Sequence, residues 1–323
     1  MAVNLGSNFS NFINGVTIRG VPVTQLHPGK VFWVNSSAVY AAGQAVAGNN
    51  TVNSGTYTKP FATIAYAVTR CLAGRGDIIA VMPGHAESIT AAAGIALNVS
   101  GVCIIGTGAG TLRPTITFTT ANTATMTVTA ANCSILNVKF VPNFLSIARA
   151  IGVTATDFTV QNCDFSDTSS ILNFLNIINC TGAANTADRL SFIDNKVVNL
   201  GVTSNNTTIL TANDIDGLEI KHNYMKWAVQ NDKAIACIVT AGVLTNLQCD
   251  DNVGYRPNTT TAGGSLITVG GTTSTGFVRR NYVQTLTTTT DLLFTTTVGL
   301  AAFENRVSGV VGATGFVIPA VDS

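Results

Sequence analysis

The chain has 323 residues, of which 46% are hydrophobic and only 10% are charged, and its net charge is +1. A chain of this size can bury a large core, and a nearly neutral surface argues against a nucleic-acid partner. The chain starts without a basic segment followed by an apolar run, and it has no apolar stretch long enough to span a bilayer. We therefore expect a protein made in the cytoplasm, with no membrane partner.

Residues 1–30 do not fit the pattern of the remaining chain and are predicted to form an amino-terminal arm. The arm carries apolar residues but is too short to build a core of its own. It is therefore either a disordered or strand-like extension or an anchoring segment that orders on a partner. The candidate attachment residues are Phe9, Phe12, Ile13, Val16, Ile18, Val21 and Val23. Residues 31–323 are predicted to form one domain.

One short amphipathic helix is predicted at about residues 61–73. The apolar residues at helical spacing are Ile64, Ala67, Val68, Cys71 and Leu72. Gly74 and Gly76 follow and would end the helix. At the head of a repetitive β structure, such a helix would cover the open end and block end-to-end aggregation.

From about residue 77 to residue 310 the chain is predicted to form repeated coils, and one short phrase recurs along them. Each copy has two apolar residues at i and i+2, two polar residues, and then an Asn or small residue. The sixth positions of the seven copies are Val138, Cys163, Asn195, Asn223, Asn252, Asn281 and Asn305, at spacings of 25, 32, 28, 29, 29 and 24 residues. The period of two predicts short half-buried strands, and the loose repeat indicates a solenoid. The predicted fold is all-β, a single-stranded right-handed parallel β-helix with a short amino-terminal capping helix and a carboxy-terminal exit at about 311–323.

The Asn residues in the sixth position are predicted to form a ladder along one corner of the coils. Asn tolerates the left-handed conformation of a sharp corner, and its amide can bond to the Asn of the coil above or below. The predicted ladder consists of Asn195, Asn223, Asn252, Asn281 and Asn305.

Two segments near the start of the repeats resemble a known superfamily. Residues 56–67 read Thr-Tyr-Thr-Lys-Pro-Phe-Ala-Thr-Ile-Ala-Tyr-Ala, and residues 76–87 read Gly-Asp-Ile-Ile-Ala-Val-Met-Pro-Gly-His-Ala-Glu. With the seven phrases, they resemble the pectate-lyase-like right-handed β-helix superfamily over about residues 56–310. His85-Ala86 depart from its pattern, where a variable residue and a Tyr are usual. The low-charge, Thr-rich body and the arm also resemble tailed-phage virion proteins, which implies a homotrimer.

Motifs for cofactors and metals are absent from the sequence. The glycines Gly106, Gly108 and Gly110 lie in a turn that no helix follows, so they do not predict a dinucleotide site. No CxxC or HExxH spacing occurs, and the His residues are scattered, so we expect neither a metal site nor a cofactor. The seven cysteines are expected to be free thiols in the core.

The residues immediately before the corner positions form the one column with a potential for chemistry. Stacking would place Asp194, His222 and Asp251 in neighbouring coils, with the two carboxylates about 10 Å apart across an imidazole. That distance is close to the spacing of about 6.5–9.5 Å between the carboxyl groups of inverting glycosidases. The alternative is a solvated charge stack or a trimer contact. This second interpretation is favoured, because no aromatic residues cluster with these carboxylates in the sequence.

We therefore expect a non-enzymatic phage virion protein, found in the virion as a homotrimer that decorates or cements the head shell. Its partners would be other copies of itself and the major capsid protein. One alternative is a tailspike-like enzyme that degrades a polysaccharide of the host surface. Another is a fibre that binds a host glycan without cleaving it.

Overall fold

The coils predicted from the repeat are present in the structure, a computed structural model. It describes residues 17–18, 21–22, 29–36, 47–180, 182–201, 207–227, 235–256, 265–269, 273–285, 299–310 and 313–316. Successive coils stack so that corresponding strands of neighbouring coils pair in parallel. The prediction of an all-β parallel β-helix is therefore confirmed.

Three sheets form the walls of the β-helix. The first sheet contains, in stacking order, Val31–Val34, Ile78–Val81, Cys103–Gly106, Ser134–Leu136, Thr159–Gln161, Ser191–Ile193, Glu219–Lys221, Leu247–Asp250, Gly276–Arg279 and Leu300–Phe303. The second contains Ala86–Ile89, Thr115–Phe118, Lys139–Pro142, Asp164–Ser166, Lys196–Asn199, Tyr224–Trp227, Val253–Arg256, Tyr282–Thr285, Arg306–Val310 and Ala313–Phe316. The third contains Ile95–Leu97, Met126–Val128, Ile151–Val153, Asn176–Cys180, Thr207–Thr211, Cys237–Val239 and Ile267–Val269. A short additional pair joins Ile215–Asp216 to Leu244–Thr245.

The core lies inside the three walls and is built mainly from alternate residues of the strands, whereas Ile151–Val153 and Cys237–Val239 of the third sheet are buried throughout. In the first sheet, the inward residues in register are Ile104, Ile135, Val160, Phe192, Ile220, Cys249 and Val278, all fully buried. Phe140 and Phe165 continue the core in the second sheet, with stacked rings whose centroids are 4.6 Å apart. Because side chains alternate between the two faces of a strand, the intervening residues point to solvent and can carry a site.

The capping helix is shorter than predicted, spanning Ile64–Val68 instead of about 61–73. Its last turn tightens, because the N–H groups of Thr69, Arg70 and Cys71 donate to carbonyls three residues earlier. The helix buries one apolar side against strands from the start of the first and third sheets, whereas Leu72 is exposed.

The two ends of the chain are described only in part. In the predicted arm, Thr17–Ile18 pairs antiparallel with Val21–Pro22, which aligns Ile18 with Val21. The other predicted attachment residues, Phe9, Phe12, Ile13, Val16 and Val23, lie outside the described residues. Within the predicted exit, Ala313–Phe316 folds back antiparallel on Arg306–Val310 and adds an antiparallel strand to the second sheet.

The seven cysteines are free thiols, as predicted, and six of them are buried. Burial raises the pKa of Cys163 and of Cys180 to about 12. These thiols therefore stay protonated at neutral pH and act as small apolar groups in the core.

Candidate functional site

From Leu136 onward, each coil turns from the first sheet into the second through two residues with different roles. The first residue of the pair has left-handed backbone angles in every coil from Asn137 onward. The φ values are 56° at Asn137, 51° at Asn162, 57° at Asp194, 55° at His222, 56° at Asp251, 53° at Arg280 and 57° at Glu304. The Asn of the predicted ladder is the second residue of the pair, so the expectation that it adopts the left-handed conformation was wrong. The backbone bends at the first residue of the pair, whose side chain is at least partly exposed.

The Asn residues instead form a buried column that supplies hydrogen bonds to the corner. Asn223 is typical: its Oδ1 accepts from the backbone N–H of Asn195 at 2.8 Å, and its Nδ2 donates to the carbonyl of Phe192 at 2.8 Å. The same two kinds of bond recur at Asn195, Asn252, Asn281 and Asn305. At this corner the strand ladders are interrupted, and the amides satisfy backbone groups that would otherwise be buried without partners.

This ladder aligns the exposed residues beside it, and His222 consequently lies between two carboxylates. Its Nδ1 is 3.5 Å from Oδ1 of Asp194, and its Nε2 is 3.7 Å from Oδ2 of Asp251. The side chain of His222 is 57% exposed and those of Asp194 and Asp251 are 46% and 31% exposed. A solvent-borne molecule can therefore reach all three groups.

Neighbouring coils hold the two carboxylates in place. Arg280 donates from Nε and Nη2 to the two oxygens of Asp251, at 2.9 and 2.7 Å. On the other side, Nε2 of Gln161 donates to Oδ2 of Asp194 at 3.1 Å. The hydrogen bonds from Arg280 lower the pKa of Asp251, so this carboxyl is ionised throughout the neutral range.

The outward face of the first sheet adds charged groups to one side of this corner. Lys221 donates from Nζ to Oε1 of Glu219 at 2.9 Å and to Oε1 of Gln248 at 2.6 Å. In the next coils, Arg279 donates to Oδ2 of the buried Asp250 at 2.9 Å. Polar side chains that are tied to one another in this way are fixed before any ligand arrives.

The outward face of the second sheet adds aromatic groups to the other side. Tyr224, Val253 and Tyr282 are in register on three successive coils and are exposed by 40%, 38% and 37%. Sequence reasoning missed this cluster and used its apparent absence to favour a solvated stack. The available signal was that each tyrosine directly follows a ladder Asn, at Asn223 and Asn281.

The remaining predictions about sites concern metals and membranes. Among the described residues, no group of three or more His, Cys, Asp or Glu side chains is placed to hold a metal ion. In the same part of the chain, no helix is long and apolar enough to cross a membrane.

For this chain, matches to known proteins are found among solved structures alone. No model of a known protein family matches it, and no curated protein matches it. Among solved structures, it is similar to a rhamnogalacturonan lyase, with 14% identity and a TM-score of 0.42, over 79% of this chain and 68% of that one. It is also similar to the GH136 lacto-N-biosidase from Eubacterium ramulus, with 11% identity and a TM-score of 0.39, over 88% of this chain and 69% of that one. At these identities the likeness concerns the fold alone.

The prediction that the chain is not an enzyme is corrected: the solved structures similar to it are both enzymes, a rhamnogalacturonan lyase and a lacto-N-biosidase. The prediction also depended on an absence of aromatic residues near the carboxylates, whereas Tyr224 lies two residues after His222 on the adjoining sheet. The similarity to phage virion proteins stays a prediction.

Proposed function

We propose that this protein binds a polysaccharide and hydrolyses it at the corner formed by Asp194, His222 and Asp251. One observation carries the proposal: an exposed imidazole lies within 4 Å of carboxylates from the coils on either side. Imidazole and carboxylate groups are the side chains that most often act as general acids and bases, and here three of them lie side by side within reach of a bound ligand. The polar and aromatic faces on its two sides suit a ligand that is both hydroxylated and ring-shaped.

Each group of the corner has a role that follows from its surroundings. Asp251, held ionised by Arg280, acts as the base that takes a proton from the attacking water. The water oxygen bonds to the anomeric carbon, and the bond from that carbon to the glycosidic oxygen breaks. The leaving oxygen takes a proton from His222, which lies between Asp251 and Asp194. The two carboxylates are two coils apart, about 10 Å along the axis, with the imidazole of His222 between them.

The test is cleavage of purified bacterial capsular polysaccharides and lipopolysaccharide O-antigens. Release of new reducing ends is expected from the wild-type protein on one of these polymers, and Asp251→Asn should lower it by a factor of 100 or more, on the order expected for loss of a general base. Asp194→Asn and His222→Asn should lower it too, since Asn accepts the left-handed conformation at both positions. Unsaturated sugars among the products would indicate elimination and contradict the hydrolytic assignment.

A matched control is available at the opposite ends of the first-sheet strands, where Asp157 lies just before Thr159–Gln161. Asp157 also has left-handed angles, with φ of 58°, and forms a two-bond pair with Arg189 at 2.6 and 2.8 Å. It therefore reproduces the backbone and ion pair of Asp251 without a neighbouring histidine. Asp157→Asn should cleave like the wild type, and loss of activity in this variant would assign the effect to folding. Full activity in all three corner variants would overturn the proposal.

We also propose the setting that the sequence indicates, a tailspike-like protein of a phage particle, assembled as a homotrimer. The support is the low-charge, Thr-rich body and the apolar arm of residues 1–30. In this setting, the arm attaches the trimer to the major capsid protein or another component of the particle, while the β-helix faces the host surface. Detection of the chain in purified particles by mass spectrometry would test this, and its absence would refute it.

A further inference from the structure

We propose that the outward side of the second sheet is the binding track for the polysaccharide, which lies parallel to the β-helix axis with one sugar per coil. The track, called here the tyrosine face, consists of Tyr224, Val253, Tyr255 and Tyr282. This inference rests on the proposed function, because it names the ligand geometry of the same site.

The first support is the concentration of tyrosine in one place. The chain contains six tyrosines, and three of them lie on the outward side of three successive strands of the second sheet. Tyr224, Val253 and Tyr282 form one column, and Tyr255 lies in the adjacent column between Lys226 and Gln284. A chain that uses so few aromatic residues has half of its tyrosines in one small area, where they contribute little to the core.

The second support is the exposure of these rings. Tyr224 and Tyr282 are more than one third exposed, although each belongs to a regular strand with a paired strand on both sides. A tyrosine ring combines an apolar face with a hydroxyl group, which matches the apolar C–H face and the hydroxyl rim of a pyranose sugar. Lys226 and Gln284 supply further polar groups beside the rings.

The third support is spacing. Neighbouring coils are about 4.8 Å apart, which is close to the advance of one pyranose along an extended glycan. Tyr224 and Tyr282 are two coils apart, so they would contact sugars two positions apart in the chain. The smaller Val253 lies between them, where the intervening sugar turns its other face toward the protein. A linear glycan whose linkages alternate the orientation of its rings fits this arrangement.

The fourth support is continuity with the corner. Tyr224 follows His222 by two residues, and Tyr282 follows Arg280 by two residues, with one buried ladder Asn between the members of each pair. A glycan on the tyrosine face therefore runs beside the column that contains Asp251, and its glycosidic oxygens pass each coil in turn. The face positions the chain, and the corner acts on one linkage.

The experiment measures binding and cleavage separately. The panel of capsular polysaccharides and O-antigens is screened for binding with Asp251→Asn, so that the polymer stays intact, and the bound polymer is cut into fragments of graded length. Affinity should rise with fragment length until three coils are spanned and then level off. Tyr224→Ala and Tyr282→Ala in this background should each lower affinity by about tenfold. Tyr57→Ala, an exposed tyrosine near the amino-terminal end, should bind unchanged.

The outcomes separate this inference from the proposed function. Unchanged affinity in Tyr224→Ala and Tyr282→Ala would overturn the tyrosine face, whether or not the wild type cleaves the polymer. Lost affinity in both, without cleavage of any polymer by the wild type, would keep the face and refute the hydrolytic corner. If the Tyr224→Ala and Tyr282→Ala variants bind with unchanged affinity but have a lower mass than the wild type in light scattering, the face is a contact between subunits and the inference is overturned. Failure of Asp251→Asn to bind any polymer would also overturn the inference.

Discussion

Asn223 offers the most direct test of the ladder that aligns the corner. Its side chain is buried and serves three backbone or side-chain groups in two neighbouring coils: the N–H of Asn195, the carbonyl of Phe192 and Oδ1 of Asn252. In the variant Asn223→Leu, the Asn195 N–H loses its acceptor and the Phe192 carbonyl loses this donor, and both stay buried. The backbone of Asn223 is not left-handed, so leucine adds no conformational cost there.

The size of the effect follows from these two orphaned groups. A buried polar group without a partner destabilises the folded state by about 1–3 kcal/mol. Burial of the apolar leucine side chain offsets part of this loss. We expect Asn223→Leu to lower the free energy of unfolding by about 2–4 kcal/mol. The amide hydrogen of Asn195 should also exchange faster with solvent than in the wild type, because its acceptor is lost.

Equilibrium denaturation in urea, with hydrogen exchange at the Asn195 amide, measures both effects. The control is Asn122→Leu, because Asn122 is exposed and its side chain forms no hydrogen bond among the described residues. This control should change the free energy of unfolding by less than about 0.5 kcal/mol. Equal unfolding of the two variants, with unchanged exchange at Asn195, would refute the energetic role given to the ladder.

Two further predictions concern buried carboxylates. Asp77 accepts hydrogen bonds from the backbone N–H groups of Lys30 and Leu72 and two from Arg75, so in urea denaturation Asp77→Asn should cost about 3–5 kcal/mol. The exposed pair of Asp157 with Arg189 should cost at most about 1 kcal/mol when broken by Asp157→Asn, and equal losses would contradict the role of burial. Burial raises the pKa of Asp167 to about 7, although the N–H groups of Leu200 and Phe174 donate to it. The unfolded carboxyl ionises near pH 4, so between about pH 4 and pH 7 the folded state holds an extra proton and loses stability as the pH rises. Urea titrations at several pH values should show wild type losing stability relative to Asp167→Asn across this window, and a constant difference would exclude the shift.

The fold could be predicted because its signal is local and repeated. Two apolar residues at i and i+2, such as Leu190 and Phe192, recur in each coil. This alternation is enough to predict which face of each strand is buried. The Asn column was equally visible, since a polar residue in an apolar phrase must have a structural reason to be buried. What periodicity could not decide was which residue of a two-residue corner bends the backbone.

The site was harder to predict because outward positions have no required residue type. Tyr224 and Tyr282 are two coils and 58 residues apart, and only the register of the second sheet brings them into one column. Repeat lengths from 24 to 32 residues show that the connecting loops differ, so spacing alone does not align the outward side chains. The usable reference was the ladder Asn, because each of these tyrosines follows it by one residue and each residue of the exposed column precedes it by one. Aligning the coils on this Asn would have predicted that the tyrosines lie beside the carboxylates.

The left-handed column has a consequence for how this surface can change. Five residue types, Asn, Asp, His, Arg and Glu, occupy it while φ stays between 51° and 57°. The backbone there is set by the neighbouring buried column, which makes the bend independent of the exposed side chain, apart from a modest cost for a residue other than glycine. Single substitutions can therefore replace the exposed groups one coil at a time while the core keeps its packing. Selection on ligand preference can act on this column almost separately from selection on stability, so that one scaffold can serve many ligands.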